Sequence, residues 1–384
     1  MTDSQPPAST CTLGELARYF LVLGTVGFGG PIALAGYMQR DLVERRGWFT
    51  REEYLEGLAL AQLAPGPLAA QLAIYLGWAR GRILGATLVA FAFILPSFVM
   101  VLGLAALYLA GGGLPWMQGV FYGVGAAVIA IIARSAFKLV RMSIGKDRLL
   151  AAVFAVNAVA VGWSERELVW LFAVSGLVVL LVRVRPRLPV SMWMPWPWLM
   201  TGLEGVAPTS TLWRLALYFA EAGAFVFGSG LAIVPFLHGG VVERYGWLSE
   251  RQFLDAVAVA MITPGPVVIT VAFIGFLVAG PLGAGAAAIG VFLPCYLFVI
   301  VPAPYFRRIA GNPSVKAFVD GVTAAATGAI AGAALVLGRR AIIDVPTAAI
   351  LAATLVVLWW KRKLPEPVVI LAAGVVGLAV FQRA

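Results

Sequence analysis

The chain has 384 residues, 61% of them hydrophobic and 12% charged, against about 25% charged in an ordinary soluble domain, so it reads as an all-α polytopic membrane protein with the lipid bilayer as its first partner. Its formal charge of +10 does not argue for nucleic acid, because the basic residues lie in short loops between apolar segments, where topology accounts for them. Two cysteines and one histidine exclude a disulfide framework and a multi-histidine metal or haem site, and no Walker or dinucleotide glycine pattern is present; no catalytic residue, cofactor or metal is expected, and energy for transport would come from a gradient.

Residues 1–13 form a polar tail without the marks of a secretory signal. A first membrane repeat follows, 14–182, with seven candidate spans at about 14–28, 30–44, 52–79, 83–110, 116–137, 148–163 and 167–182, judged against the roughly 20 residues a crossing needs. Gly27-Phe28-Gly29-Gly30-Pro31 breaks the first apolar stretch. Glu44-Arg45 then precedes Gly47-Trp48, and Thr50 with Glu53 makes a capping box that starts a helix. Pro65-Gly66-Pro67 stops that helix inside apolar sequence. Such a break is tolerated in hydrocarbon only where protein or a water-filled cavity receives the freed backbone groups. A re-entrant hairpin in place of two crossings is therefore an alternative for the second and third segments.

Residues 183–210 carry Arg183, Arg185, Arg187 and Trp193, Trp196, Trp198, and read as a linker in the interface. The second repeat, 211–384, echoes the first. Tyr218 to Pro266 matches Tyr19 to Pro67 with 17 identities in 49 positions, and Ser249 with Gln252 repeats the capping box. With a one-residue slip the match continues to Leu95-Pro96 against Leu293-Pro294. Loop charge swaps between the repeats: Arg80 and Arg82 face the uncharged Ala279 to Pro281, while the uncharged Gly111 to Gly113 faces Arg307, Arg308 and Lys316. The halves are thus expected to be inverted. Seven crossings each would put both chain ends on the outer side, with Arg339 and Arg340 against the trend.

Paired broken helices in corresponding places point to a transporter's binding site. The substrate-binding candidates are Gly29, Gly30, Pro31, Arg45, Gln62, Pro65, Gly66 and Pro67, with Gly228, Ser229, Arg244, Pro264, Gly265 and Pro266 in the second half. Helices that resume after a break present free amides and about half a unit of positive charge, where an anion can sit. Close helix packing by small residues is the bland alternative. Glu44 and Arg45 read equally as a surface ion pair or as a substrate-attracting arginine. Candidates for coupling or proton transfer are Glu44, Glu56, Glu221, Asp255 and His238, since intramembrane ionisable groups are commonly functional; a salt bridge, or for His238 a simple hydrogen bond, is the other reading. Gln62 and Gln71 flank the first Pro-Gly-Pro and could donate to an oxyanion or join helices.

Gly-Phe-Gly-Gly-Pro, Val-Glu-Arg-x-Gly-Trp, Ala-Gln-x-x-Pro-Gly-Pro and Leu-Pro-Ser-Phe in one duplicated chain resemble the chromate ion transporter family, long-chain two-repeat type. The resemblance implies a multi-pass protein of the bacterial inner membrane, a secondary transporter that exports chromate, a tetrahedral dianion like sulfate, and so confers chromate resistance. It marks Gly29, Gly30, Pro31, Glu44, Arg45, Trp48, Gln62, Pro65, Gly66 and Pro67 as the positions where function concentrates. The second half departs at Ser229, Gly230, Met261 and Thr263, so the twin sites are not expected to be equivalent. A sulfate carrier, or a cation or small-solute carrier using the intramembrane carboxylates, is the competing reading, and a homodimer is left open.

Overall fold

Local sequence sets the helix starts. Thr50 Oγ1 accepts from the Glu53 amide at 3.1 Å while the Glu53 carboxylate accepts from the Thr50 amide at 2.9 Å, and Ser249 with Gln252 repeats the box, as does Thr12 with Glu15 at the first helix. The computed structural model describes residues 11–28, 30–111, 115–145, 147–164, 169–184, 210–225, 233–306, 312–342, 344–360, 364 and 366–381. Among these are fourteen α-helices and no strand. The first half holds α1 (Leu13–Val26), α2 (Gly30–Met38), α3 (Arg51–Leu63), α4 (Leu68–Gly111), α5 (Pro115–Ser143), α6 (Arg148–Ser164) and α7 (Val169–Val184). The second holds α8 (Thr211–Phe225), α9 (Ile233–His238), α10 (Glu250–Ile262), α11 (Thr270–Ile300), α12 (Pro313–Ala341), α13 (Val345–Trp360) and α14 (Glu366–Phe381). Three stretches are long and apolar enough to cross a membrane, Leu68–Gly111, Val267–Tyr305 and Pro313–Val336, and five shorter apolar helices accompany them.

The chain folds back at each break instead of continuing. A Cβ on Gly57 would lie 2.2 Å from the Tyr75 ring, and Arg80 pairs with Glu53 at 3.9 Å, although in one straight helix residues 57 and 75 would stand roughly 27 Å apart. Hence α3 and the first arm of α4 form an antiparallel hairpin with Pro65-Gly66-Pro67 at its tip. α1 and α2 form another, since Arg46 after α2 lies 5.5 Å over the Tyr19 ring on α1. The second half repeats this, Tyr218 on α8 donating to the Phe236 carbonyl at 2.9 Å.

Both α4 and α11 then reverse at a two-residue kink, Gly81–Arg82 and Ala279–Gly280. The reversal needs a positive φ, which Gly280 adopts freely and Arg82 adopts at 50°, a conformation costing a residue with a Cβ about 1–3 kcal/mol. Across the turns Gly77 meets Gly85, and Gly275 meets Gly283, so closely that a Cβ on any of them would sit within 2.4 Å of the opposite carbonyl oxygen.

α2 and α9 each run on into a π-helical turn, Gln39–Arg45 and Gly239–Arg244, which the sequence reading did not anticipate. Gly47 and Gly246, both at φ 59°, then let the amides of Trp48 and Trp247 reach back to the carbonyls of Leu42 and Val241 at 2.8 Å. That explains why Gly-Trp recurs.

The second arms of α4 and α11 lie antiparallel. Thr87 near the start of one meets Tyr296 near the end of the other at 2.7 Å, and Tyr108 near the end of α4 reaches Asp255 on α10 at 2.8 Å. The two halves therefore enter from opposite faces, as the loop charges predict. Leu13 at the start of α1 packs on Gly81 and Gly85, and this face also carries Arg45, Arg46, Arg80, Arg82, Arg148 and Arg183. We call it the basic face.

One expectation fails. Because the breaks turn the chain back, each half has, among the described residues, four through-running helices and two hairpins, not seven crossings. α14 runs antiparallel to α5, Gly377 against Gly119 and Ala373 against Gly123, and so ends on the face opposite to the start of α1. The start of α1 and the end of α14, the outermost described helices, thus lie on opposite faces, not together. Except for Arg183, Val184 and Ser210, the linker 183–210 lies outside the described residues, as do Lys146, Arg307, Arg308 and Lys361 to Lys363.

Two modules result. α5, α6, α7, α12, α13 and α14 pack together, with α12 on α6 and α7 of the other half and α5 on α13 and α14. The hairpins, α4 and α11 form the second module.

Candidate functional site

Hairpin tips from opposite faces meet in the middle of the second module, each docked on the other half. The Gly265 amide donates to the Gly27 carbonyl at 2.9 Å, and the Ser97 hydroxyl on α4 donates to the Pro264 carbonyl at 2.8 Å and lies 3.3 Å from the Gly24 carbonyl. The mirror contact is Cys295 on α11, the position equivalent to Ser97, which lies 3.6 Å from the Gly223 carbonyl and 3.1 Å from a Cβ placed on Gly66. A weak thiol donor replaces a hydroxyl there. At this position the first tip meets a weaker donor than the second.

Gly66 takes φ 136° and Gly265 φ 99°, which is why each proline pair is split by glycine. After the first tip, Pro67 starts the first arm of α4, and Leu68, Ala69 and Ala70 there are buried. A helix start leaves its first amides without intrahelical acceptors, and proline brings no side-chain oxygen to cap them. Gln71 Nε2 donates to the Pro65 carbonyl at 2.6 Å, leaving Gln71 Oε1 buried with no partner; such a group is commonly met by a ligand or an ordered water. The first tip is therefore a buried helix start with uncapped amides and one unpaired side-chain acceptor, Gln71 Oε1. In the second half Pro266 precedes a tight turn, Val267–Ile269, and likewise supplies no side-chain cap.

The structure brings Gly30, Pro31, Pro65, Gly66, Pro67, Pro264, Gly265 and Pro266 to these central tips; Gly29, Gly228 and Ser229 lie outside the described residues. Gln62 lies on α3 one turn before its tip and is exposed. The two arginines are elsewhere. Arg45 ends the π-helical turn at the basic face, roughly 20 Å from the tip at 1.5 Å per residue, with its side chain 68% exposed and paired to Asp41 at 3.5 Å. Glu44 accepts from Gln39 instead, so Glu44-Arg45 is not an ion pair of its own. Arg244 stacks over Tyr245 at the corresponding place on the other face.

His238 is buried, bonded to Glu250 at 2.7 Å and 3.6 Å from Glu243, which ties the π-helical turn to the start of α10 far from the tips. Asp255 is 3% exposed and accepts from Tyr108. Its twin Glu56 is half-buried, and Glu221 is exposed on α8. Ser97 was not singled out by sequence reasoning; its signals are its place after the Leu-Pro that both halves share and within the Leu-Pro-Ser-Phe motif.

The chromate transporter family model matches residues 14–180 and again 213–378. This chain belongs to that family. It is 54% identical to a chromate transport protein of Cupriavidus metallidurans over 99% of both chains. It is 55% identical to a protein of Synechococcus elongatus described as "Probable chromate transport protein", over 97% of this chain and 96% of that one. A chromate transport protein of Pseudomonas aeruginosa is 33% identical over 99% of this chain and 95% of its own. No solved structure matches. The duplicated family match coincides with the two halves of the chromate transporter fold described above.

Proposed function

We propose that this member of the chromate transporter family is a secondary transporter that exports chromate across the bacterial inner membrane and so protects the cell. The observation that supports the reading is the buried start of α4 at Leu68 to Ala70, behind a proline that cannot cap it. Amides there would replace the hydration that a tetrahedral oxyanion gives up on entering hydrocarbon. The basic face would be cytoplasmic by its arginines, with α1 starting at that face and α14 ending at the other. Gly30, Pro31, Pro65, Gly66, Pro67, Gln71 and the second tip, Pro264 to Pro266, would line the site.

With Arg45 at the surface, the positive charge at the tips comes from helix dipoles, about half a unit each. A dianion so held is bound loosely, which suits a carrier that must also let go. The test is uptake of labelled chromate into inverted vesicles from cells expressing the chain. Chromate accumulation that Pro67→Ala or Gly66→Leu abolishes, with protein still in the membrane, is the expected result. Protection by a monovalent cation instead of by chromate or sulfate would transfer the chain to the carboxylate-using reading, and normal transport by both variants would remove the tips from the site.

A further inference from the structure

Leu55 and Ala59 on α3 correspond to Leu254 and Ala258 on α10, residue for residue. Their surroundings differ. Leu55 is 47% exposed where Leu254 is partly buried, Ala59 is partly buried where Ala258 is 2% exposed, and Gln62 further along the same stripe is exposed where its twin Met261 is 4% exposed. α10 packs on α5 and α14, with Leu254 3.7 Å from the place of a Cβ on Gly125, and α9 packs on α12; α2 and α3 find their main neighbours in α4 and the π-helical turn of their own half. Identical side chains on pseudo-symmetric helices would be equally covered in a symmetric molecule, so the difference lies in how the two modules are set against each other.

The less covered stripe on α3 holds the exposed Glu52, Leu55 and Gln62 with the partly buried Glu56 and Ala59 among them. Polar groups at this depth belong in water or against protein, not in lipid. The stripe also leads from the basic face directly to the Pro65 tip. We infer that the structure is a transporter open toward its basic face: Leu55, Ala59 and Gln62 line the path from that face to the central tips, Leu254, Ala258 and Met261 form the sealed path to the other face, and the cycle exchanges their burial by bringing α3 onto α12 while α10 leaves α5. The inference rests on the transporter reading and not on the identity of the cargo.

On the sealed side Tyr108 holds Asp255, and the position equivalent to Tyr108 in the second half is Phe306, so this bond has no like counterpart in the other half.

Two cysteine pairs test this. Gly125→Cys with Leu254→Cys spans the closed contact, and Leu55→Cys with Thr323→Cys, the equivalent positions of the other half, spans the contact that the exchange would form. In membranes without chromate, a short reducible bifunctional maleimide should link the first pair readily and the second slowly, above the background of Cys11 and Cys295. Either link should stop chromate uptake, and reduction should restore it. Tyr108→Phe should raise the rate of the second link roughly fivefold or more, the worth of one hydrogen bond.

Single variants guard against misfolded pairs. Ala59→Cys should react with an aqueous maleimide from the basic face, and Ala258→Cys more slowly and from the other face only. Equal labelling of both from one face, or a second pair that never links in a protein that transports, would overturn the exchange. Linking that behaves as expected in a protein that does not move chromate would leave the exchange standing and remove the chromate reading.

Discussion

Replacing Gly265 by alanine tests whether the hairpin tips are held by contact between the halves. The residue sits at φ 99°, and a Cβ there would lie 1.9 Å from Ser97 Oγ, 3.1 Å from Ser97 Cβ and 3.3 Å from the Gly24 carbonyl oxygen. The backbone conformation alone costs an L-residue about 1–2 kcal/mol. The Ser97 hydroxyl must also swing away, and the buried carbonyls of Pro264 and Gly24 lose their donor at about 1–3 kcal/mol. The sum is about 2–5 kcal/mol, concentrated at the tip, and it should appear as a lower melting temperature of the detergent-purified protein together with loss of chromate uptake. Ser97→Ala alone should cost only the hydrogen-bond share. The double variant should cost less than the two singles added, because the clash with the hydroxyl is gone. Gly66→Ala should be milder, since its nearest neighbours are the Gln71 side chain at 2.6 Å and Cys295 Sγ at 3.1 Å, which can shift. An unchanged melting temperature and full uptake for Gly265→Ala would refute the docked-tip geometry.

Arg45→Ala should leave chromate uptake near the wild-type level in matched vesicles, because an exposed pair with Asp41 is worth at most about 1 kcal/mol; abolished uptake would restore Arg45 to the substrate's path. At the basic face, Arg183 joins Asp147 at 2.5 Å and Asp320 at 2.6 Å, clasping α6, α7 and α12. The Asp147 carboxyl is held below its ordinary range, first by the Leu150 amide and then by Arg183. A carboxylate so depressed stabilises the fold above its unfolded value, about 3.9, and the contribution is lost as the pH falls through the lower folded value. Thermal melts should therefore decline below about pH 4, and Asp147→Asn should flatten part of that decline; identical pH profiles would show that the clasp does not couple to folding.

The duplication, the helix starts at Thr50 and Ser249, the proline breaks and the inverted halves were legible in sequence because each follows from local chemistry or from charge counted along the chain. Capping boxes act within one turn, proline acts on its own helix, and loop arginines report topology without any contact. Whether a broken helix continues or folds back is not local. It depends on whether α3 finds a better surface in its own continuation, Gly57 against Tyr75, than across the bilayer, and that is why the count of crossings and the faces at which α1 starts and α14 ends came only from the tertiary structure. The same holds for the site. A repeated arginine in a family motif carries no sign of depth, and only the π-helical turn that ends at Arg45 puts it at the surface, while Ser97 and Gln71 gain their roles from partners brought to them by the other half or by the turn of the tip. The unequal burial of Leu55 and Leu254 lies furthest from what sequence can determine, because identical residues on twin helices differ only in how two packed modules are set against each other.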